Sequence, residues 1–260
     1  MIFRDLFKKL EKLAPEIYAL KNDKTGFQIG CYDKDIKKVW LATDLTDTVL
    51  EQAVSGGADL ILTHHPLIYD PLTQILAHDI VGRRIIKLIR NDINYMAMHT
   101  NFDVMAMADY AADILGLSGR QVLDITYENE GNKEGIGRYG NLSCPMTLND
   151  CAEHIKSRFN IDSLKVFGDS NKVINTVAIS PGSSGGVLAH AVKAGVDLLI
   201  TGDIKHNIVL DAMAHGIALI DAGHYETEKI FVPYMKDYFE REIPGLLVFE
   251  ANEKSLFYVV

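Results

Sequence analysis

Two stretches of the chain repeat one another, and this repeat constrains the fold more than any other feature. The segment "AVSGGADLILTHH" (residues 53–65) aligns with "AVKAGVDLLITGD" (residues 191–203) at an offset of 138 positions, and six of the first eleven positions are identical. Each copy has the pattern of a helix that ends at glycine, followed by a short buried strand. The sequence therefore predicts two related α/β units that arose by internal duplication.

Similar elements flank each copy of the repeat. A strand precedes each one, "VWLATD" (residues 39–44) and "VAISPG" (residues 177–182), and each is followed by a strand that ends near a histidine. Strands separated by single helices form βαβ units with largely parallel strands. We predict mainly parallel or mixed sheets flanked by helices, with a first unit over residues 1–125 and a second over residues 126–260. The two halves are expected to pack intimately around a shared site. The alternative to an internal duplication is that the two segments are similar only because all buried strand–helix units have similar sequences.

Composition excludes several classes of protein. The 260 residues are 48% hydrophobic and 23% charged, with a net charge of -9, so a general attraction to nucleic acid or to an anionic membrane is not expected. No apolar run approaches the roughly 20 residues that a membrane helix needs. Charges interrupt the apolar residues near the start, which predicts an amphipathic helix rather than a signal peptide. Three scattered cysteines, Cys31, Cys144 and Cys151, favour a reducing cytoplasm.

Four histidines directly follow predicted strands: His64, His65, His99 and His224. In open α/β sheets, ligands bind beyond the carboxyl ends of the strands. A single histidine at such a place is more often a solvated or capping residue. Four histidines at one kind of position are hard to explain by packing, and they favour a shared binding pocket.

Two carboxylates accompany the later histidines. Asp103 lies four positions after His99, and Glu228 lies four positions after His224. If a helix starts at each histidine, the carboxylate lies one turn further on and on the same face. Imidazoles together with carboxylates suit a first-row divalent ion such as Zn²⁺, Mn²⁺, Fe²⁺ or Ni²⁺.

The adjacent histidines of "THHP" suggest that two ions are bound. Neighbouring side chains on an extended chain point to opposite faces, so His64 and His65 are expected to diverge and to serve different ions. Pro66 biases His65 toward an extended conformation. Two ions need a bridging group, and the carboxylate of Glu228 can supply it.

Five motifs carry a resemblance to a known family. They resemble the Ngg-interacting-factor-three-like family, whose members are also known as type 2 homologues of GTP cyclohydrolase 1. The likeness runs in order along essentially the whole chain, without the inserted domain of many relatives, so this chain resembles the short form. The motifs are "GFQIG" (residues 26–30), "LTHHPLIY" (residues 62–69), "HTNFD" (residues 99–103), "TGDIKHN" (residues 201–207) and "DAGHYETE" (residues 221–228).

The resemblance implies a dinuclear site with five protein ligands. His64 and His224 would hold one ion, His65 and Asp103 would hold the other, and Glu228 would bridge them. It also implies a ring-shaped homohexamer built as a trimer of dimers. The sequence itself offers the apolar N-terminal helix and the C-terminal "SLFYVV" (residues 255–260) as association surfaces.

The function expected from the resemblance is hydrolysis of a nucleotide or related heterocycle. The favoured reaction is opening of the GTP ring with release of formate, in which His99 or His206 would transfer protons. For His99, core packing or capping is an equal alternative. A nucleotide phosphoesterase would use the same metals. A non-catalytic alternative is a regulatory, scaffold or metal-handling protein.

Two glycine-rich motifs are predicted to form turns or strands. The polar segment 128–145 is predicted to begin as an exposed loop, and its "GIGRYG" (residues 135–140) to form a strand and turn, since the spacing is wrong for a dinucleotide fingerprint. "SPGSSGG" (residues 180–186) is predicted to be a tight turn with a serine cap. The alternative is an anion site at a helix start.

Overall fold

The structure is a computed structural model that describes residues 1–183, 185–253 and 256. It is a mixed α/β fold with two sheets flanked by helices, as the sequence predicts. The strands are β1 Gly26–Ile29, β2 Lys38–Ala42, β3 Leu60–Thr63, β4 Asn94–Ala97, β5 Ser118–Asn129, β6 Asn132–Thr147, β7 Lys165–Phe167, β8 Val173–Ser183, β9 Leu198–Gly202, β10 Ala218–Asp221 and β11 Leu247–Glu250. The helices are α1 Phe3–Leu13, α2 Asp47–Gly56, α3 Ile80–Arg90, α4 Thr100–Phe102, α5 Ala108–Leu115, α6 Leu148–Phe159, α7 Leu188–Ala194, α8 His206–Ala214, α9 His224–Glu228 and α10 Phe231–Glu242. A π-helical segment, Asp103–Met107, joins α4 to α5, and short 3-10 turns occur at Glu16–Tyr18 and Gly185–Val187.

The chain divides into two compact units. The first unit combines Met1–Phe102 with Phe231–Leu256, and the second contains Asp103–Ile230. This division differs from the predicted boundary at residue 125. Position 125 lies in the middle of the continuous strand β5, and β11 pairs in parallel with β2, so the C-terminal elements belong to the first unit.

The first unit contains a five-stranded sheet in the order β1-β4-β3-β2-β11. Strands β2, β3 and β4 are parallel, and β1 runs antiparallel to β4 at one edge. All four residues of β3 and of β4 are buried, as expected for parallel strands that are covered on both faces. Trp40 of β2 stacks on Phe249 of β11, with ring centroids 4.4 Å apart. The returning C-terminal strand therefore completes one edge of this sheet, with three of its four residues exposed.

The second unit contains a six-stranded sheet in the order β5-β6-β8-β9-β10-β7. Strands β8, β9 and β10 are parallel, and β7 runs antiparallel to β10. The strand pattern of the first sheet is therefore present again, since β7, β8, β9 and β10 pair as β1, β2, β3 and β4 do. The second sheet differs by the antiparallel pair β5 and β6 at its edge.

Matching contacts occur at the offset of the sequence repeat. Val39 pairs with Leu60 across β2 and β3, and Val177 pairs with Leu198 across β8 and β9. The carboxylate of Asp59 accepts the amides of residues 37 and 38 at 2.8 Å, and the carboxylate of residue 197 accepts those of residues 175 and 176 at 2.9 Å. Each pair of positions is separated by 138 residues. The two sheets are therefore consistent with an internal duplication.

The polar segment 128–145 contains an exposed turn near its start and otherwise consists of strand. Strands β5 and β6 extend through it, and only Glu130 and Gly131 form the turn between them. The predicted loop is shortened to this turn because β6 pairs with β5 on one side and with β8 on the other, and this pairing overrides the polar composition.

The N-terminal residues form helix α1, as predicted. Phe3, Leu6 and Leu10 are fully buried along one side, whereas Ile2 is 40% exposed. The C-terminal "SLFYVV" lies outside the described residues except for Leu256, which is exposed. Within the described part of the chain, no helix is both long enough and apolar enough to cross a membrane.

Candidate metal centre

Three histidines of the first unit lie together at the carboxyl ends of two parallel strands. His64 and His65 follow β3, and His99 follows β4. One ring nitrogen from each of the three lies within 4.8 Å of the others. Their ring centroids are 4.8 to 5.7 Å apart. Neighbouring parallel strands end at the same edge of a sheet, which is where ligands bind, and this common edge brings the three histidines together.

His64 and His65 do not diverge, and that expectation was wrong. Their rings lie 4.8 Å apart and are tilted by 52°. The strand ends at Thr63, and its hydroxyl donates to the carbonyl oxygen of His65 at 2.7 Å. The phenol of Tyr95 donates to the same carbonyl at 2.8 Å. The chain therefore turns just where the histidines begin, and strict alternation of side chains no longer applies.

The imidazole of His64 is fixed in one tautomer by a backbone carbonyl. Its Nδ1 lies 2.9 Å from the carbonyl oxygen of Met98. Because a carbonyl only accepts hydrogen bonds, Nδ1 carries the proton and Nε2 carries the lone pair. The ring is fully buried and contacts the ring of Phe231. Nε2 is therefore the atom of His64 that could ligate a metal.

Carboxylates hold the other two histidines of this cluster. Nδ1 of His65 lies 2.9 Å from Asp44, and Nδ1 of His99 lies 2.6 Å from Asp23. A carboxylate or carbonyl on one ring nitrogen is the usual companion of a metal-binding histidine, because it sets the ring orientation and raises the basicity of the other nitrogen. All three rings of the cluster have such a partner.

Asp23 is held in its ionised form. Burial alone would raise its pKa, but hydrogen bonds from His99, from the hydroxyl of Thr100 and from the amide of Lys24 hold the pKa well below the usual range. The charge of Asp23 therefore persists beside His99. Asp23 and Asp44 were not predicted from the sequence, because they lie 76 and 21 positions from the histidines they hold.

The second unit contains a candidate ligand pair, His224 and Glu228. They are the first and last residues of α9, so both lie on one face. Nε2 of His224 lies 2.9 Å from Oε2 of Glu228, whose side chain is only 5% exposed. Nδ1 of His224 lies 2.9 Å from Asp203. Asp203 therefore orients the imidazole of His224.

Gly182, from the "SPGSSGG" motif, provides the space for Glu228. It has a φ of +71°, and a Cβ built on it would lie 2.0 Å from Oε1 of Glu228 and 3.6 Å from Nε2 of His224. Its amide donates to Thr227 and its carbonyl accepts from Thr201. This position was not selected from the sequence, although a glycine at a strand end suggests a close approach.

The donors present fit a divalent ion. A buried carboxylate is costly unless it is paired or bound to a metal, and Gly182 leaves room for the Glu228 carboxylate beside the imidazole of His224. Imidazole and carboxylate are the ligands that first-row divalent ions accept. The structure thus contains candidate metal-binding clusters of histidine and glutamate.

The remaining predicted site residues have clear positions. Asp103 is the first residue of the π-helical segment and is half-buried. His206 is exposed at the first position of α8. Their roles as a metal ligand and as a proton-transfer residue stay predictions.

The fold and these donors define a two-sheet α/β protein with candidate metal ligands beyond its parallel strands, and known proteins share its fold. The sequence profile of the family described as Duf34/NIF3 (NGG1p interacting factor 3) matches residues 1–255. A Clostridium perfringens protein named GTP cyclohydrolase 1 type 2 homolog is 36% identical over 230 residues, covering 88% of this chain and 87% of the relative. The chain belongs to the Duf34/NIF3 family.

Solved structures agree with this assignment. A crystal structure of a Staphylococcus aureus protein matches with a TM-score of 0.90 and 30% identity, covering 100% of this chain and 99% of that one. The crystal structure of a Bacillus cereus protein related to NIF3 matches with a TM-score of 0.92 and 23% identity, covering 99% of both chains. The second similarity shows the shared fold.

Proposed function

We propose that the protein is a metal-dependent hydrolase with a site for two divalent ions. The observation that supports this most strongly is the anchoring of the histidines. In His64, His65 and His224, Nδ1 lies 2.9 Å from a carbonyl or carboxylate oxygen. This arrangement presents Nε2 for ligation, as in known metal sites. Packing alone would not require the same anchor three times.

The proposed ligands follow the family resemblance. His64 and His224 hold one ion, His65 and Asp103 hold the other, and Glu228 bridges them. Three imidazoles and two carboxylates suit Zn²⁺, Mn²⁺, Fe²⁺ or Ni²⁺. The proposal of two ions is based on this ligand set. It is not based on the side chains of His64 and His65 pointing apart, because they do not do so.

When bound, the ions would supply Lewis acidity and activate water at neutral pH. His99 is the proposed proton-transfer residue, because its Nδ1 is held by the ionised Asp23 and its ring lies beside His64 and His65. The contact with Asp23 fixes the orientation of the ring, which leaves Nε2 of His99 to transfer a proton. His206 is the second candidate for proton transfer.

GTP is the proposed substrate, and ring opening with formate release is the proposed reaction. Support comes from relatives named GTP cyclohydrolase 1 type 2 homolog. The test is to load the protein separately with Zn²⁺, Mn²⁺, Fe²⁺ and Ni²⁺, and to offer GTP and a panel of nucleotide esters. Formate from GTP, abolished in Asp103→Ala, is the expected result.

Two other outcomes of this screen would overturn the proposed reaction. Phosphate release from the esters would make the protein a nucleotide phosphoesterase. No turnover by protein that carries its ions would make it a regulatory, scaffold or metal-handling protein.

We also propose that the protein is a cytoplasmic homohexamer, arranged as a trimer of dimers. The location is supported by three unpaired cysteines, which suit a reducing compartment, and the assembly rests on the family resemblance. Light scattering should give a mass of about six times 28.9 kDa. A monomer at micromolar concentration would contradict the hexamer.

A further inference from the structure

Arg138 is a buried cation that the proposed function does not use. It lies in the "GIGRYG" motif of β6, and its side chain is only 5% exposed. Burying a charge is costly unless the group is paired and hydrogen-bonded. The contacts of Arg138 therefore show what this cation holds in place.

The guanidinium joins two parts of the second unit. Nη1 donates to the carbonyl oxygens of Gly135 at 2.9 Å and Gly137 at 3.0 Å. Nη2 donates to the carbonyl oxygen of Val104 at 3.2 Å and to the carboxylates of Asp109 at 2.9 Å and Glu134 at 3.3 Å. One side chain thus ties its own strand to the π-helical segment, through Val104, and to α5, through Asp109.

The glycines of the motif allow this approach. A Cβ on Gly135 would lie 1.8 Å from the carbonyl oxygen of Asp124, and one on Gly140 would lie 2.6 Å from that of Ser118. Gly137 has a φ of +69° and lies against the carbonyl of Ile179. Strand β6 therefore packs closely between β5 and β8. The glycines of the motif therefore allow the close packing of the strand that carries Arg138, and the motif is not a nucleotide-binding loop.

The segment that Arg138 holds begins with a proposed metal ligand. Asp103 is the first residue of the π-helical turn, and Val104 is the next. Single π-turns inside α-helices are rare and occur often at functional sites. A shift in the register of this turn would rotate Asp103 about the helix axis.

We propose that Arg138 is a positioning residue for Asp103. By binding the Val104 carbonyl and the Asp109 carboxylate together, it holds the π-turn in the register that directs the Asp103 carboxylate to its ion. This role rests on the proposed metal site.

The test compares Arg138→Lys with Arg120→Met in the full-length protein loaded with Co²⁺. Arg120 is a matched control, because it also binds α5, through Asp113 at 2.6 Å and the Asp109 carbonyl at 3.0 Å. A lysine keeps the charge but loses the fork that reaches several oxygens at once. We expect Arg138→Lys to bind one ion about 10- to 100-fold more weakly and to change the visible spectrum of bound Co²⁺. Arg120→Met should match the wild type in both measurements.

The melting temperatures of the metal-free proteins show whether a variant is destabilised, independently of its metal binding. If Arg138→Lys does not fold, Asp109→Asn provides a second variant. Asp109→Asn should weaken the same ion. If Asp103→Ala loses an ion while Arg138→Lys or Asp109→Asn keeps wild-type affinity and spectrum, the positioning role is wrong and the metal site stands. If the wild type binds no ion, the proposed function itself is wrong.

Discussion

Gly182 lies against the carboxylate of Glu228, and any side chain at this position would occupy the space of that carboxylate. A Cβ on Gly182 would be 2.0 Å from Oε1 of Glu228. Real atoms do not approach so closely, so Glu228 or the backbone would have to move. The positions of the glycine and the glutamate therefore depend on each other. They are distant in sequence, since 45 residues separate Gly182 from Thr227, which directly precedes Glu228.

Gly182→Ala is therefore expected to weaken metal binding. The new methyl group would displace the carboxylate of Glu228, and the left-handed backbone at φ +71° adds a cost of about 1–2 kcal/mol. Titration of the metal-free variant with Zn²⁺ should show weaker binding of at least one ion. Its melting temperature should also fall.

Gly195→Ala provides the matched control for this prediction. Gly195 has a φ of +68°, and a Cβ there would meet no atom within 4 Å. This variant should lose similar stability from the backbone strain while it binds metal as the wild type does. Equal metal affinity in the two alanine variants would show that position 182 does not shape the site.

Asp44→Asn is expected to weaken metal binding without changing the fold. Asp44 accepts from Nδ1 of His65 at 2.9 Å, and its backbone amide is held separately by Glu253 at 3.1 Å. The loop should therefore stay in place while His65 loses the negative charge that makes it a better ligand. Removing such a partner typically costs about 10- to 100-fold in metal affinity, which calorimetry would measure.

Asp33→Asn is the control for the Asp44 variant. Asp33 also loses a charge on substitution, but it forms an exposed ion pair with Arg4. Its metal affinity should match that of the wild type. An equal loss in the two variants would reveal a general effect of net charge rather than orientation of His65.

The ends of strands were predictable from sequence because local patterns specify them. A buried apolar run followed by His64, or by His99, needs no knowledge of distant residues. Their carboxylate partners were not predictable, since Asp23 reaches His99 across 76 positions. Only the pairing of β1 with β4 brings those segments together. Long-range strand pairing therefore limits what one sequence reveals.

The division of the chain into units also depends on long-range strand pairing. The predicted boundary at residue 125 follows the repeat, but β11 pairs with β2 across more than 200 positions. The hairpin of β5 and β6 contains polar residues that would suit a loop. Its pairing with β8 makes it part of the sheet. Local composition favours one state, and the tertiary contacts select another.

Asp47 is expected to give the protein a pH-dependent contribution to stability. Hydrogen bonds from Arg83 and Arg84 lower its pKa to about 2, below the value of about 4 in an unfolded chain. The contribution is thus fully present above about pH 4 and is lost as the pH falls toward about 2. Because the groups are exposed, solvent screening limits it to about 0.5–1 kcal/mol.

Urea unfolding of Asp47→Asn measures this contribution. The variant should be less stable than the wild type at neutral pH, and the difference should shrink below about pH 3. Glu51→Gln, which alters a 3.4 Å exposed pair with Lys87 on the same two helices, is the control. A destabilisation by Asp47→Asn that does not vary with pH would contradict the assigned ion pairs.

The proposed site binds two divalent ions through histidines and carboxylates. The variant Glu228→Gln tests this proposal most directly. The substitution keeps the size of the side chain but removes the charge between the proposed ions. Elemental analysis of the reloaded wild type should give about two ions per chain. Glu228→Gln should bind at least one of them more weakly, while its metal-free form melts as the wild type does. Saturation of the wild type at one ion or none, or unchanged affinity for both ions in the glutamine variant, would contradict the account.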